Sequence, residues 1–480
     1  MNDRIKAVYQ RLQKREYRNL RGENEVVLSE AFYAGHKNLS LRSAARLLKM
    51  AEAERAVLFP EDRIGMMRTI KKIPALLTKQ ESEEIRDTHF IFDSAQVGNI
   101  SSDYEGILTQ GFQKKREQIR RQMKKFAGDE EKCEELKAMD VCIDAVELMA
   151  KKYREEAMRM GITELAEALA NVPAKAPESY YEALVMLRLL NFVLWLNGNK
   201  HNTLGRFDVY MYPFFKKDMD SGKLDREKAL ELTSEFFIDL NFDADLYPGV
   251  QQGDNGQSLV LGGAGKDGKE VYNELSEICL DASLSLNLID PKINIRVNKD
   301  TPFETYYHGT LLTKQGLGFP QYSNDDVVIP ALVKMGYELE DARSYVVAAC
   351  WEFIIPGVAY DIPNIDALNY PQVVLDAVRA KIEKCGTFEE FMTEVRKGIA
   401  YSCEAMAENT RNIFIEPSPY QSLLMTNCIK EGKDIADGTK YNNYGFHGAG
   451  LSTAADSLAA VKKLVFDEKK IAAAELVKAL

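Results

Sequence analysis

At 480 residues, with 45% hydrophobic and 28% charged side chains, the chain has the composition of a soluble globular protein of one or two domains. Its 62 Lys and Arg against 73 Asp and Glu give a net charge of −11 with no basic cluster, which argues against a nucleic-acid partner. The N-terminus MNDRIKAVYQRLQKREYRNL is a charged helical pattern rather than a signal peptide, and no apolar run is long enough to span a bilayer. A cytoplasmic location and no membrane partner are therefore expected.

In chain order, residues 1–170 are expected to form a helical N-terminal region. LSLRSAARLLKMAEAERAVLF (39–59), SDYEGILTQGFQKKREQIRRQMKKF (102–126) and DVCIDAVELMAKKYREEAMRM (140–160) each repeat apolar residues at three- and four-residue spacing. From 171 to 480, helical stretches alternate with short β-like runs: SLVLGG (258–263), KINIRVN (292–298), FPQYSN (319–324) and SLLMTNC (422–428). That alternation is the pattern of an α/β architecture with its motifs on loops after strands. Gly263-x-Gly265-x-x-Gly268 superficially fits a dinucleotide fingerprint. Lys266-Asp267-Gly268 is turn chemistry, however, and the next helix is expected near Asn273, so a polar hairpin is the better account. The five histidines lack HxxxH or HxH spacing, and the seven cysteines form no CxxC pair; neither a metal site nor a disulfide framework is expected. His201, in NGNKHNTLGRFDVYMYPFF, reads from the sequence alone more readily as a loop residue than as a functional group.

The run VVAACWEFIIPG (346–357) sets Cys350 and Glu352 two positions apart among apolar residues, with no basic side chain nearby. A nucleophilic cysteine works as a thiolate and needs a cation or a helix N-terminus beside it. Here Ala348, Ala349, Trp351, Phe353 and Ile354 are expected to desolvate the thiol and Glu352 to oppose a second negative charge, so this cysteine should keep its hydrogen. In an extended loop the two side chains point the same way, about 7 Å apart at Cα, and can address one molecule together.

ACWEF, the preceding GLGFPQYSNDDVVIPALVKMGYELEDARSYVV (316–347) and ADSLAAVKKLVFDEKK (455–470) together resemble the glycyl radical enzymes, the superfamily of pyruvate formate-lyase and the radical dehydratases and lyases. VGNISSDYEGILTQGF (97–112), NGNKHNTLGRFDVYMYPFF (197–215), SLVLGGAGKDGKEVYNELSEICLDASLSL (258–286) and RVNKDTP (296–302) follow in the family's order. The resemblance implies a ten-stranded α/β barrel, incomplete in this chain and filling 171–480, with the cysteine on a central loop. It implies that Cys350 carries a thiyl radical, that Glu352 is the general base which deprotonates a hydroxyalkyl radical, and that His201 contacts substrate with Asn202 beside it. The Cys-x-Glu pattern resembles the dehydratases, carbon–heteroatom lyases and decarboxylases. Ala349 stands where an acyl-transferring relative would have a second cysteine, which disfavours a pyruvate formate-lyase-like acyltransferase.

The sequence also departs from the pattern. Asn99 replaces a histidine of the dehydratase-like relatives and cannot deliver a proton. Trp351 stands where a small aliphatic residue is common, and Asn364 near an acidic position, so Trp351, Asn99 and Asn364 are expected to shape a pocket unlike those for diols, glycerol or choline. The last glycine is Gly450, and AAVKKLVFDEKKIAAAELVKAL reads as helix. The family's radical glycine loop is therefore expected on a missing C-terminal region or on a smaller partner subunit that completes the barrel, with homodimerisation a further possibility. The resemblance implies a radical AdoMet activating enzyme with a [4Fe-4S] cluster to install the radical, and no cofactor or metal bound by this chain. The expected function is radical C–X cleavage of a small hydroxylated substrate; the alternatives are a radical decarboxylase, an acyltransferase or a non-catalytic scaffold on the same fold.

Overall fold

The computed structural model describes residues 1–22, 25–91, 98–246 and 255–480, except for the side chains of 91, 244–246, 363 and 364. The chain divides into two compact units: one of 1–78, 96–361 and 416–442, the other of 79–95, 362–415 and 443–480.

In the first unit the long helices start and stop where local chemistry dictates. Asn38 accepts the Leu41 amide at 2.9 Å to open Leu39–Ala53. Asp129 opens Glu130–Met160, which Gly161 closes in the left-handed conformation. Helix Tyr180–Asn197, capped by Ser179 and ended by Gly198, is buried on all sides, as its apolar run requires. The expected helix at 102–126 forms as Tyr104–Lys125 but breaks at Gly111 (φ 71°, ψ 171°). The backbone of Ala174–Ala176 approaches so closely there that a Cβ would lie 2.5 Å from the Lys175 carbonyl carbon.

Strands β1 (Ser258–Gly262), β2 (Lys292–Val297) and β3 (Gln321–Asn324) run parallel in the order β1-β2-β3, pairing Ser258 with Lys292 and Asn294 with Gln321. Helices Glu274–Leu286 and Phe303–Thr313 make the crossovers, and β1 and β2 are buried throughout, as a parallel sheet covered on both faces must be. Beyond β1 the ribbon continues through parallel bridges, Gly205 to Leu259, then Ser101 to Thr203 and Gly98 to Lys200. Five parallel segments result, and the first of them, 98–101, lies inside the region expected to be wholly helical. Its few residues carry too short a pattern for periodicity to register. Residues 263–270 form the expected polar hairpin, with Gly265 N bonding Lys269 O at 2.7 Å, and Asn273 caps the next helix.

SLLMTNC (422–428) is not a strand: helix Pro419–Leu423 runs into it and helix Cys428–Glu431 leaves it. Ser422 Oγ bonds Ser418 O at 2.9 Å and Asp434 at 2.8 Å, and residues 424–427 turn between the two helices, with 422–425 buried and Thr426 exposed. So short an apolar run has no period that separates the two outcomes.

In the second unit, helices Tyr370–Lys381, Phe388–Asn409 and Leu451–Val461 enclose a core that includes Val374, Val378, Phe391, Val395, Ala454 and Val461. The C-terminal helix is interrupted, a π-helical turn at Lys462–Asp467 separating Leu451–Val461 from Ala473–Ala479. Among the described residues no helix is long and apolar enough to cross a membrane.

Candidate active site

Strands β4 (Val346–Ala348) and β5 (Glu352–Ile354) form an antiparallel hairpin that pairs Ala348 with Glu352 and leaves Ala349, Cys350 and Trp351 as its turn. Val346, Val347, Ala348 and Ile354 pack with Val260 of β1, which seats the hairpin on the ribbon. Its root is held by a buried network that the sequence reading overlooked. Arg296 of β2 donates to the Arg343 and Tyr345 carbonyls at 2.9 and 3.1 Å and to Asp325 at 2.8 Å. Tyr345 donates its hydroxyl to the same carboxylate at 2.8 Å and meets Phe353 edge-on. Burial raises the Tyr345 pKa, which keeps that hydroxyl a donor. RVN at 296–298 was the available signal: a buried arginine on a strand needs acceptors.

Two expectations for the hairpin change. Cys350 is exposed and Trp351 is 52% exposed, whereas Ala348, Ala349 and Ile354 are buried. The apolar neighbours Ala348, Ala349 and Ile354 turn into the protein, while Cys350 stands at the tip of the turn on its exposed side. The extended loop is instead a tight turn, with Ala349 at φ 43°. One oxygen of Glu352, Oε2, accepts the amides of Cys350 and Trp351, both at 3.0 Å. The carboxylate is thereby pinned to the backbone of the cysteine two residues before it.

Asn99 and His201 come together on neighbouring parallel segments, with Asn99 Oδ1 2.5 Å from His201 Nδ1. Both adopt left-handed backbone, φ 58° and φ 50°. Gly256 makes room for the imidazole, since a Cβ there would stand 2.7 Å from His201 Cδ2. Two residues on, Ser258 Oγ donates to the Ala349 carbonyl at 3.3 Å. Segment 256–258 therefore touches the His201 ring at one end and the cysteine turn at the other. Asn202 is buried and donates to Asn199 O at 3.2 Å, a bond across its own turn. Asn364 belongs to the strand Ala359–Asn369, and its side chain lies outside the described residues.

A separate cavity of about 760 Å³ lies among Asp103, Tyr104, Arg206, Lys266, Asp341 and Thr426, and neither Cys350, Glu352 nor His201 lines it. Among the described residues no group of three or more His, Cys, Asp or Glu could hold a metal ion.

Residues 68–480 match the family profile described as pyruvate formate lyase-like. The chain is 27% identical over 359 residues to (2S)-3-sulfopropanediol dehydratase of Klebsiella oxytoca, covering 69% of this chain and 44% of that one. It is 28% identical over 433 residues to isethionate sulfite-lyase of Oleidesulfovibrio alaskensis, covering 79% and 51%. The chain thus spans about half the length of the curated relatives it matches. Its fold superposes on a structure reported for 1,2-propanediol dehydration in Roseburia inulinivorans with a TM-score of 0.86 at 24% identity, over all of this chain and 72% of that one. The parallel ribbon with a cysteine hairpin seated on it is the pyruvate formate lyase-like barrel fold, and the chain belongs to the pyruvate formate lyase-like family of glycyl radical enzymes.

Proposed function

We propose that this chain carries the thiyl residue of a radical lyase that cleaves a carbon–heteroatom bond in a small hydroxylated molecule. The observation that carries the reading is the hairpin turn, where Cys350 and the carboxylate of Glu352 are locked to one another and Ser258 ties the turn to the segment that seats His201. Cys350 takes a hydrogen atom from the hydroxyl-bearing carbon, and Glu352, whose Oε1 is not used in the turn bonds, accepts the hydroxyl proton. His201 hydrogen-bonds the substrate. A glycyl radical, when present, supplies the unpaired electron. Exposure of the thiol at the hairpin tip suits a donor that approaches it from outside the turn: a glycine on a smaller subunit or on a further segment of the same polypeptide. A radical AdoMet activating enzyme would install that radical, and the oxygen sensitivity of the species suits an anaerobic cytoplasm.

The test uses the complete, activated enzyme. Cys350→Ala should abolish turnover while the glycyl radical remains visible by EPR, and turnover retained in that variant would remove the thiyl assignment. Glu352→Gln keeps the reach of the side chain but loses the base, so the rate should fall about 10²-fold or more while hydrogen exchange between deuterated substrate and Cys350 survives.

A further inference from the structure

The cavity of about 760 Å³ lies within the first unit, and three neighbouring parallel segments lead into it. Ser101 makes the last bridge of the first segment, Gly205 that of the second, and Gly265 follows the end of β1; all three line the cavity. The cysteine turn is tied instead to Ser258, the first residue of β1. The cavity and the cysteine turn therefore belong to opposite ends of that strand. Carboxyl ends of parallel strands are where α/β sheets place ligands, because the loops that follow them shape a crevice.

The most buried polar groups of the lining include a guanidinium and hydroxyls. Arg206 is 8% exposed, and its three hydrogen bonds all go to backbone carbonyls: Nη1 to Ala264 at 2.7 Å and Arg343 at 3.3 Å, and Nη2 to Gly262 at 2.6 Å. Its Nε has no partner. Burial pushes Arg206 down to about 9, and the neighbouring Arg296 charge acts in the same direction against Asp208 and Asp325. A buried cation held by neutral acceptors is stabilised by any anion that reaches it. Ser101 is buried beside it, and its Oγ likewise has no partner. Glycine at 205 makes the space for that hydroxyl, since a Cβ there would stand 2.6 Å from the oxygen. Val209, Tyr210, Val271, Ile355, Pro356 and Val358 supply an apolar wall. Acids stand further out, and most are neutralised. Glu105 pairs with Lys266 at 3.4 Å, Asp267 with Lys269 at 3.7 Å and Asp341 with Lys440 at 2.6 Å. Asp103 accepts the Gly106 amide at 2.9 Å and the Thr426 hydroxyl at 3.3 Å, and it remains an uncompensated charge on the wall. That charge opposes a doubly charged phosphate twice as strongly as a single carboxylate.

We propose that this cavity is a second small-molecule site, separate from the cysteine turn, which binds a monocarboxylate with a short apolar chain. The carboxylate meets Arg206 and Ser101, and the chain lies along the apolar wall. Nothing in this assignment depends on the radical chemistry, so the two readings stand or fall separately.

Calorimetric titration with hexanoate tests it, on the chain and on the complete enzyme near neutral pH. Hexanoate should bind both with a Kd of about 1 mM or tighter. 1-Hexanol and hexyl phosphate should each bind about 10-fold more weakly or worse, the first for want of charge and the second for its excess. Val209→Trp fills the cavity from its wall and should abolish binding with the urea midpoint unchanged. Ser101→Ala removes one hydroxyl that bonds nothing in the fold, and should weaken hexanoate about 5-fold; this variant decides the matter if Val209→Trp unfolds early. No binding of hexanoate, equal binding of the alcohol or the phosphate, or full affinity in Ser101→Ala or in a folded Val209→Trp overturns the proposal. Binding to the chain that disappears in the complete enzyme also overturns it, since another segment then fills the cavity.

Discussion

A single methyl group at position 256 should report on the site. Gly256 has φ +66°, and a Cβ would lie 2.7 Å from Cδ2 and 2.8 Å from Cγ of His201. Gly256→Ala therefore pays twice, once in left-handed strain of about 1–2 kcal/mol and once by pushing the imidazole off Asn99. In the complete enzyme kcat/KM should fall by about 10-fold or more, with a urea midpoint lowered only modestly; wild-type kinetics would show that His201 does not need its seat. At this scale the sequence was partly legible. Cys350 and Glu352 stood out because charge and thiol interrupt an apolar run, whereas the partnership of Asn99 with His201 spans about a hundred residues and has no local signature. Gly256 gave no sign either, since what requires it is a ring from another segment.

At the scale of elements, the cysteine hairpin is short, three residues in each strand, and depends on its root. Arg296 and Asp325 form a fully buried ion pair at 2.8 Å, reinforced by the Tyr345 hydroxyl and by stacking of the guanidinium over the Tyr345 ring at 3.9 Å. Removing one partner strands the other charge without water. Asp325→Ala should destabilise the first unit by about 3–5 kcal/mol in urea unfolding, and Tyr345→Phe by about 1 kcal/mol; an unchanged midpoint for Asp325→Ala would mean that the network does not hold the hairpin. The parallel strands β1 and β2 were readable as β-branched and apolar runs between helices, and β3, Gln-Tyr-Ser-Asn, as a short β-like run after Pro320. The hairpin was read as an extended loop, because its turn is closed by Glu352 and by the left-handed Ala349, features of backbone geometry rather than of composition.

At the scale of the whole molecule, buried acids set a pH dependence. Burial, with the neighbouring Asp434 charge second, pushes Glu135 up to about 8, and its Oε1 has no hydrogen-bond partner. Burial likewise lifts Asp62 to about 6, against the opposing attraction of Arg11. Carboxylates raised in the native state bind more protons there than in the unfolded chain, so their contribution makes stability fall as pH rises. For Glu135 the window runs from about 4.5 to about 8, and for Asp62 from about 3.8 to about 6. Urea midpoints should therefore be higher near pH 5.5 than near pH 8, and Glu135→Gln should flatten that slope. A slope identical to wild type would place Glu135 in its ordinary range.

By itself the sequence determined the family, the class of fold and the pairing of a cysteine with a glutamate, because each is written in residue order: periodicity, β-like runs and a motif two positions apart. It also indicated that the Gly263–Gly268 stretch is a turn, since Lys-Asp-Gly is local turn chemistry. Tertiary structure alone decided that the cysteine stands exposed at a hairpin tip, that Glu352 is tied to the turn's own amides, and that SLLMTNC turns between two short helices. It alone brought Asn99 onto His201 and Arg296 under the hairpin. These outcomes depend on which distant surfaces meet and on which backbone groups are left to be satisfied, and neither is a property of any short stretch of chain.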